Sequence, residues 1–314
     1  VAVRPLRIAI VGFGKIAGDQ HVPAIEGNSR LALAASISRS GSGPPPHYSS
    51  HHELLSSGEH VDAVAITTPP NIRYEIARDC IEAGLHVLLE KPPTVTLAEI
   101  EDLACLAQAR QVTLFASWHA QHNAAVAAAA RALAGKPVAS MEIIWHEDVH
   151  KWHPGQRWIW EAGGFGVFDP GINAFSIAVR IFPGALFVRS ADLHFPSDAQ
   201  TPIAAELEFA SPVAQGPLRC SLDWRRTQGE QWSIRIRTLD GLDLALLEGG
   251  SRLLLDGAEQ RTEDKAEYPD LYREFVRLID ERRSSVDARP LRMVADALLL
   301  ARRHETDPVE QSKA

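Results

Sequence analysis

Residues 6–17 read LRIAIVGFGKIA. Leu6–Val11 is a short apolar run with the length and content of a buried strand. Gly12-Phe13-Gly14-Lys15-Ile16-Ala17 follows at once as GxGxxA, and a helix is predicted over Lys15–Glu26. Strand, glycine turn and helix in direct succession are the context that a dinucleotide fingerprint requires. Gly12 permits the tight turn, Gly14 lets the backbone approach a pyrophosphate, and Ala17 keeps the helix close to the sheet. The free N–H groups at the helix N-terminus then face the phosphates. The bland alternative is an ordinary turn between a strand and a helix.

Outward from this turn, apolar runs alternate with helical stretches. Strands are predicted at Leu31–Ile37, Asp62–Thr67, His86–Glu90 and Val112–Ser117. Helices are predicted at His52–Ser57, Asn71–Ala83 and Leu97–Arg110. Thr96 with Glu99 three residues later is a capping box for the last of these. Such alternation implies right-handed crossovers and a doubly wound parallel sheet, an α/β Rossmann domain over residues 1–119. From residue 120 the style changes. After an Ala-rich helix at Ala124–Ala134, strands are predicted at Ser140–Glu147, Phe187–Phe195, Ile203–Phe209, Leu218–Trp224, Trp232–Leu239 and Leu242–Leu247. Leu207 and Phe209 alternate with Glu206 and Glu208, the mark of a sheet covered on one face. One closing helix carries Leu271, Phe275, Leu278 and Ile279, and another runs from Asp287–Pro290 to Arg303. Residues 120–314 are therefore expected to form an α+β domain with a large, mostly antiparallel sheet.

The chain has 314 residues, 45% hydrophobic and 23% charged, with a net charge of −8. That is long enough for two domains at roughly 150 residues each. Its composition excludes a collagen, a disordered tail and a disulfide miniprotein. The negative charge and the lack of long basic runs argue against a nucleic-acid or membrane surface. No apolar run approaches the roughly 18 residues of a membrane span. Cys80, Cys105 and Cys220 form neither a disulfide framework nor a zinc motif, which suits a reducing, cytoplasmic compartment. Val1–Val11, with Arg4 and Arg7, reads as a first strand rather than a leader.

The second strand normally ends in Asp or Glu where the ribose 2′-hydroxyl of NAD is read. Here it ends Ser36-Ile37-Ser38-Arg39. A hydroxyl followed by a guanidinium suits a 2′-phosphate, so NADP is the expected preference, with NAD as the alternative.

Further motifs carry a family likeness. They are the glycine turn, Asp19-Gln20-His21-Val22-Pro23-Ala24, Thr67-Thr68-Pro69-Pro70-Asn71 and Glu90-Lys91-Pro92. The second half adds Trp152-His153-Pro154-Gly155-Gln156, Trp158-Ile159-Trp160-Glu161 and residues 163–173, GGFGVFDPGIN. The chain resembles the Gfo/Idh/MocA oxidoreductases over nearly its whole length, within the branch of L-arabinose and D-galactose 1-dehydrogenases. The resemblance implies oxidation of an aldopyranose at C1 to the lactone, with hydride passing to NAD(P)+. It places Gly12, Phe13, Gly14, Lys15, Ile16, Ser38, Arg39, Thr68, Pro69, Glu90 and Lys91 at the cofactor. It also makes Lys91 the lysine that reaches the reacting hydroxyl, after a peptide bond to Pro92 that is usually cis.

Asp169 matches the family's second-domain aspartate, but Asn173 stands where the family often has His. A neutral amide cannot act as a base. The proton acceptor is then Asp169, neutral Lys91, or a water between them. Asp169 is favoured, with Lys91 donating to O1 and Asn173 orienting the sugar. The ammonium and the carboxylate are expected to meet at one anomeric oxygen. Asp169 before Pro170 also suits a helix N-cap. Trp145, Trp152, Trp158 and Trp160 cluster within sixteen residues. Indoles pack on sugar C–H faces, and Trp152 and Trp232 are the expected contacts, whereas Trp158, Trp160 and Trp224 suit the core. His119, Glu147 and His153 are the polar candidates beside them, His119 because it directly follows the last strand of the first domain. No metal is expected. His51 and His52 are adjacent, and His146, His150 and His153 lack helical ligand spacing. Competing functions are another sugar or polyol dehydrogenase, or a dinucleotide-binding sugar sensor without turnover. A homo-oligomer, dimer or tetramer, is expected.

Overall fold

The computed structural model describes residues 4–262 and 266–309. The chain forms two compact units. One runs to His119 and is joined by Ala266–Ala288; the other takes the chain from Ala120 and again from Arg289.

In the first unit, six strands are found among the described residues: β1 Leu6–Val11, β2 Leu31–Ile37, β3 His47–Tyr48, β4 Ala63–Ile66, β5 His86–Leu89 and β6 Leu114–Ala116. They lie in the order β3-β2-β1-β4-β5-β6 and pair in parallel. Their continuous apolar runs are explained by burial on both faces; every residue of β4 is fully buried. The order reverses between β1 and β4, so the chain leaves these two strands toward opposite sides and opens a crevice at their carboxyl ends. Gly12, Thr67 and Glu90 follow β1, β4 and β5 there.

Residues 15–26 are helical, as expected, but with a π-helical stretch at Ala17–His21 before the α-helix Val22–Glu26. The predicted capping box is present on the helix Leu97–Arg110. The Glu99 N–H reaches the Thr96 hydroxyl at 3.3 Å, and the Thr96 N–H reaches the Glu99 carboxylate at 2.9 Å.

The helix Glu267–Asp280 corrects the expectation of two uninterrupted domains. Its stripe of Tyr268, Leu271, Tyr272, Phe275, Leu278 and Ile279 packs with Ile8, Ile10, Ile25, Leu88 and Phe115. Periodicity identified the buried face of this helix but not the core that receives it.

The second unit holds nine strands among the described residues: β7 Val138–His146, β8 Phe187–Pro196, β9 Ala204–Ala210, β10 Leu218–Asp223, β11 Gln231–Thr238, β12 Asp243–Leu247, β13 Arg252–Leu255, β14 Ala258–Glu259 and β15 Ala301–Thr306. Their order is β14-β13-β12-β11-β7-β10-β9-β8-β15. Only β7 with β10 and β8 with β15 run parallel. Leu207, Phe209, Ile234 and Ile236 are buried, while the intervening Glu206, Glu208, Arg235 and Arg237 are exposed. The helix Phe168–Ile181 is buried along most of its length. It lies so close to the sheet that a Cβ on Gly171 would stand 2.5 Å from Leu222. That approach fixes the helix turn bearing Asp169 and Asn173.

The final helix ends at Leu300, three residues short of expectation, and Ala301–Thr306 is a strand. Its Arg302 and His304 pair with Asp192 on β8 at 2.7 Å each, a cross-strand match that intrinsic helix preference does not reveal. No described helix is long and apolar enough to cross a membrane.

Candidate active site

The first unit builds a cradle from its strand ends. Gly12 has φ +95°, a conformation that favours glycine, and a Cβ there would lie 2.7 Å from the Thr68 nitrogen. The Thr67 hydroxyl donates to the Gly12 carbonyl at 2.7 Å. A Cβ on Gly14, by contrast, would meet nothing nearer than 3.9 Å, so its backbone is open to approach. Lys15 pairs with Asp19 on the exposed side of the turn, Ile16 is exposed and Phe13 packs on the core. The Thr68 hydroxyl is buried without a hydrogen-bond partner among the described residues. A glycine turn with room above it, a helix N-terminus and a waiting hydroxyl fit the phosphates of a dinucleotide. Pro69 continues this rim into the turn Pro70–Ile72.

At the end of β2 the Ser38 hydroxyl joins Ser42, and Ser42 in turn donates to the Phe13 carbonyl at 3.2 Å. The serine loop thereby folds against the glycine turn. Arg39 is exposed, and its guanidinium makes no hydrogen bond or ion pair among the described residues.

Glu90 organises the end of β5. Its carboxylate is 5% exposed and accepts the Lys91 N–H at 2.8 Å and the Tyr268 hydroxyl at 2.8 Å. His21 stands 3.2 Å from the same carboxylate and 2.7 Å from the Tyr272 hydroxyl. Burial opposes the charge on Glu90, but the hydrogen bond and charge of His21, the charge of His119 and the Tyr268 hydroxyl outweigh it, holding the carboxyl well below its usual range. Burial pushes the Tyr268 and Tyr272 phenols well up. The Lys91–Pro92 bond is cis. His119, expected among the sugar contacts, lies 3.3 Å from Glu267 and stacks on Tyr268 at 5.4 Å. It caps the Glu90 network.

The second unit gathers the indoles. Glu147, just past β7, is buried. It accepts the Trp224 indole N–H at 3.1 Å and the Trp232 indole N–H at 2.9 Å. Trp232 contacts Trp145 at 6.3 Å and Trp152 at 5.9 Å between ring centroids. Trp152 is 46% exposed, and its N–H is held at 2.7 Å by Glu230. Glu230 also takes Lys151 at 2.5 Å, and Lys151 lies over the Trp152 ring. Glu230 was absent from the sequence reading; an acid two residues before Trp232 was the available signal. Trp224 is fully buried, with Trp160 against it at 5.4 Å, while Trp158 donates to Gln156.

His153 packs on Trp224 at 5.1 Å and places Nε2 3.4 Å from the Asp169 carboxylate, which is 3% exposed. Asp169 is not the helix N-cap. The helix begins at Phe168 after Val167, so Asp169 sits within its first turn. Asn173 follows one turn later, its side-chain oxygen buried without a hydrogen-bond partner among the described residues. His146 bonds Ser221 at 2.8 Å, separate from the His153 contacts. Adjacent His51 and His52 turn their rings toward one carboxylate. Both approach Asp79, at 2.9 and 3.7 Å, and the three donor atoms lie within 4.8 Å.

Residues 6–118 match the model of the Gfo/Idh/MocA oxidoreductase family, described by its NAD-binding Rossmann fold. A galactose 1-dehydrogenase of Pseudomonas fluorescens is 43% identical over 303 residues, covering 96% of this chain and 97% of that protein. The chain belongs to the Gfo/Idh/MocA oxidoreductase family. Among solved structures, a D-galactose-1-dehydrogenase from Rhizobium etli superposes with a TM-score of 0.93 at 43% identity, covering 99% of both chains. A 3-ketoreductase from Actinomadura kijaniata, with a TM-score of 0.80 at 17% identity over 96% of this chain and all of that one, shares the fold. The match to the Gfo/Idh/MocA family model lies in the first unit of this member, whereas the likeness to the two galactose enzymes runs along both units.

Proposed function

We propose that the protein is an NAD(P)+-dependent aldose 1-dehydrogenase acting on D-galactose or L-arabinose. The likeness to a galactose 1-dehydrogenase along both units, rather than along the nucleotide unit alone, carries the reading. Oxidation of the pyranose removes a hydride from C1 and a proton from O1, leaving the lactone. The glycine turn, Thr68 and Pro69 would hold the dinucleotide, whose nicotinamide supplies the hydride acceptor. Ser38 and the unengaged Arg39 support a preference for the 2′-phosphate of NADP, with NAD as the weaker partner.

Lys91 donates to O1 and lowers the cost of its developing charge, while Asp169 accepts the proton. His153 orients that carboxylate, and Asn173 turns its amide to a sugar hydroxyl. Trp152 and Trp232 cover the apolar face of the ring. Glu147 acts through the two indoles that it holds. Galactose and arabinose share configuration from C2 to C4, so a site reading those centres accepts both. A sensor without turnover has no use for a buried acid and a lysine on one hydroxyl. The apolar end of the last helix, with Leu299 84% exposed, supports a dimer or tetramer.

Mixing the protein with an aldose panel and each oxidised dinucleotide, and following reduced-nicotinamide absorbance, tests the reading. Turnover on galactose or arabinose is expected. Turnover confined to polyols, or none on any pentose or hexose, would overturn it.

A further inference from the structure

Arg73 opens the helix Arg73–Glu82, directly after the Thr-Pro-Pro turn. Arginine at the start of a helix is ordinarily a solvent-exposed charge, yet this one is only 3% exposed. Its guanidinium donates to three main-chain carbonyls: those of Glu90 and Pro92 through Nη1, and that of Thr68 through Nη2. Two of these flank Lys91, and the third belongs to Thr68, which packs against Gly12 in the nucleotide cradle. The Glu90 carboxylate meanwhile holds the Lys91 N–H at 2.8 Å. Lys91 is thus fixed through its own nitrogen by one side chain and through the carbonyls on either side by another.

We propose that Arg73 is a positioning residue that sets the Lys91 backbone and the Thr68 turn in register. A buried guanidinium serves this purpose better than an ammonium. Its planar fork presents donors in several fixed directions at once, so one side chain can bridge two loops and hold both at a set spacing. A carbonyl that has lost its donor in a buried site carries a desolvation penalty and turns away to find another partner. Loss of Arg73 therefore rotates the Glu90–Lys91 and Pro92–Pro93 peptide units that bracket Lys91, and the ammonium no longer meets O1 at the reacting distance.

The proposal rests on the role given to Lys91 above, and its test separates the two. R73M and R73K are prepared alone and combined with K91A. Each is checked by circular dichroism, then for dinucleotide binding by tryptophan fluorescence, and for kcat and KM on galactose. R73M is expected to lower kcat by about 10–100-fold with little change in the sugar KM, the scale of a misplaced catalytic group. R73K is expected to recover part of that loss. On the K91A background R73M should cost less than about 3-fold more, because residues acting through one another do not add. An equal loss on both backgrounds would overturn the proposal, as would failure of both single variants to fold. If the wild-type protein oxidises no aldose, the functional reading fails alone. Arg73 is then judged by the dinucleotide, whose affinity should fall in R73M; unchanged affinity would overturn the proposal.

Discussion

His153 Nε2 stands 3.4 Å from the Asp169 carboxylate, joining the loop after Trp152 to the first turn of the helix Phe168–Ile181. The contact supplies an imidazole beside the aspartate, although position 173 carries an amide. D169A should reduce turnover by about 10²–10⁴, the range of an acid–base group, with dinucleotide affinity little changed. H153A should cost less, because the carboxylate remains. Near-full turnover in D169A would rule out the proton route.

K91A should also lose about 10²–10⁴ in kcat, measured at saturating aldose and dinucleotide. Turnover close to that of the wild type would remove Lys91 from the chemistry.

R39A tests cofactor choice. A charged hydrogen bond is worth about 1.5–3 kcal/mol, so kcat/KM for NADP should fall roughly 10–150-fold while that for NAD changes little. Equal losses with both dinucleotides would show that Arg39 does not read the phosphate.

The exposed Trp152 and its Glu230 anchor should govern the sugar rather than the hydride step. W152A should raise the galactose KM with kcat nearly unchanged, and E230Q should do the same to a smaller degree. A kcat effect in W152A without a KM effect would contradict the assignment.

Glu90 predicts a pH dependence of stability. Its folded-state pKa is lowered, burial being outweighed by His21, His119 and Tyr268. Its contribution is therefore fully present above the unfolded value of about 4.3 and is lost as pH falls toward the lower folded value. Urea unfolding of wild type and E90Q should show the largest difference near neutral pH and a shrinking one below about pH 4.3. A constant difference across that window would mean that the carboxylate's charge is not what stabilises the fold.

The strands of the first unit were legible because residues buried on both faces leave unbroken apolar runs, and β1 and β2 match their expected bounds. The glycine turn was legible because its chemistry is local. What escaped was non-local. β15 reads as ARRHET, a charged edge whose partner lies more than a hundred residues away. Arg73 looks like any basic residue until three carbonyls close on it, two of them beyond the end of its own helix. Glu147 and His153 could be picked out beside the indoles, but that Glu147 holds two of the rings and His153 faces Asp169 depends on how the sheet brings its strand ends together.

The partners that Glu90 and His21 find in Tyr268 and Tyr272 arrive late in the sequence. A ribosome making this protein must release eight of the nine strands of the second sheet, β7 to β14, before the nucleotide unit can acquire its last helix. An isolated fragment ending at residue 119 would leave a buried acid and imidazole short of two hydroxyl partners and an apolar groove uncovered. Anyone grafting this nucleotide unit elsewhere must therefore carry both separated pieces of chain.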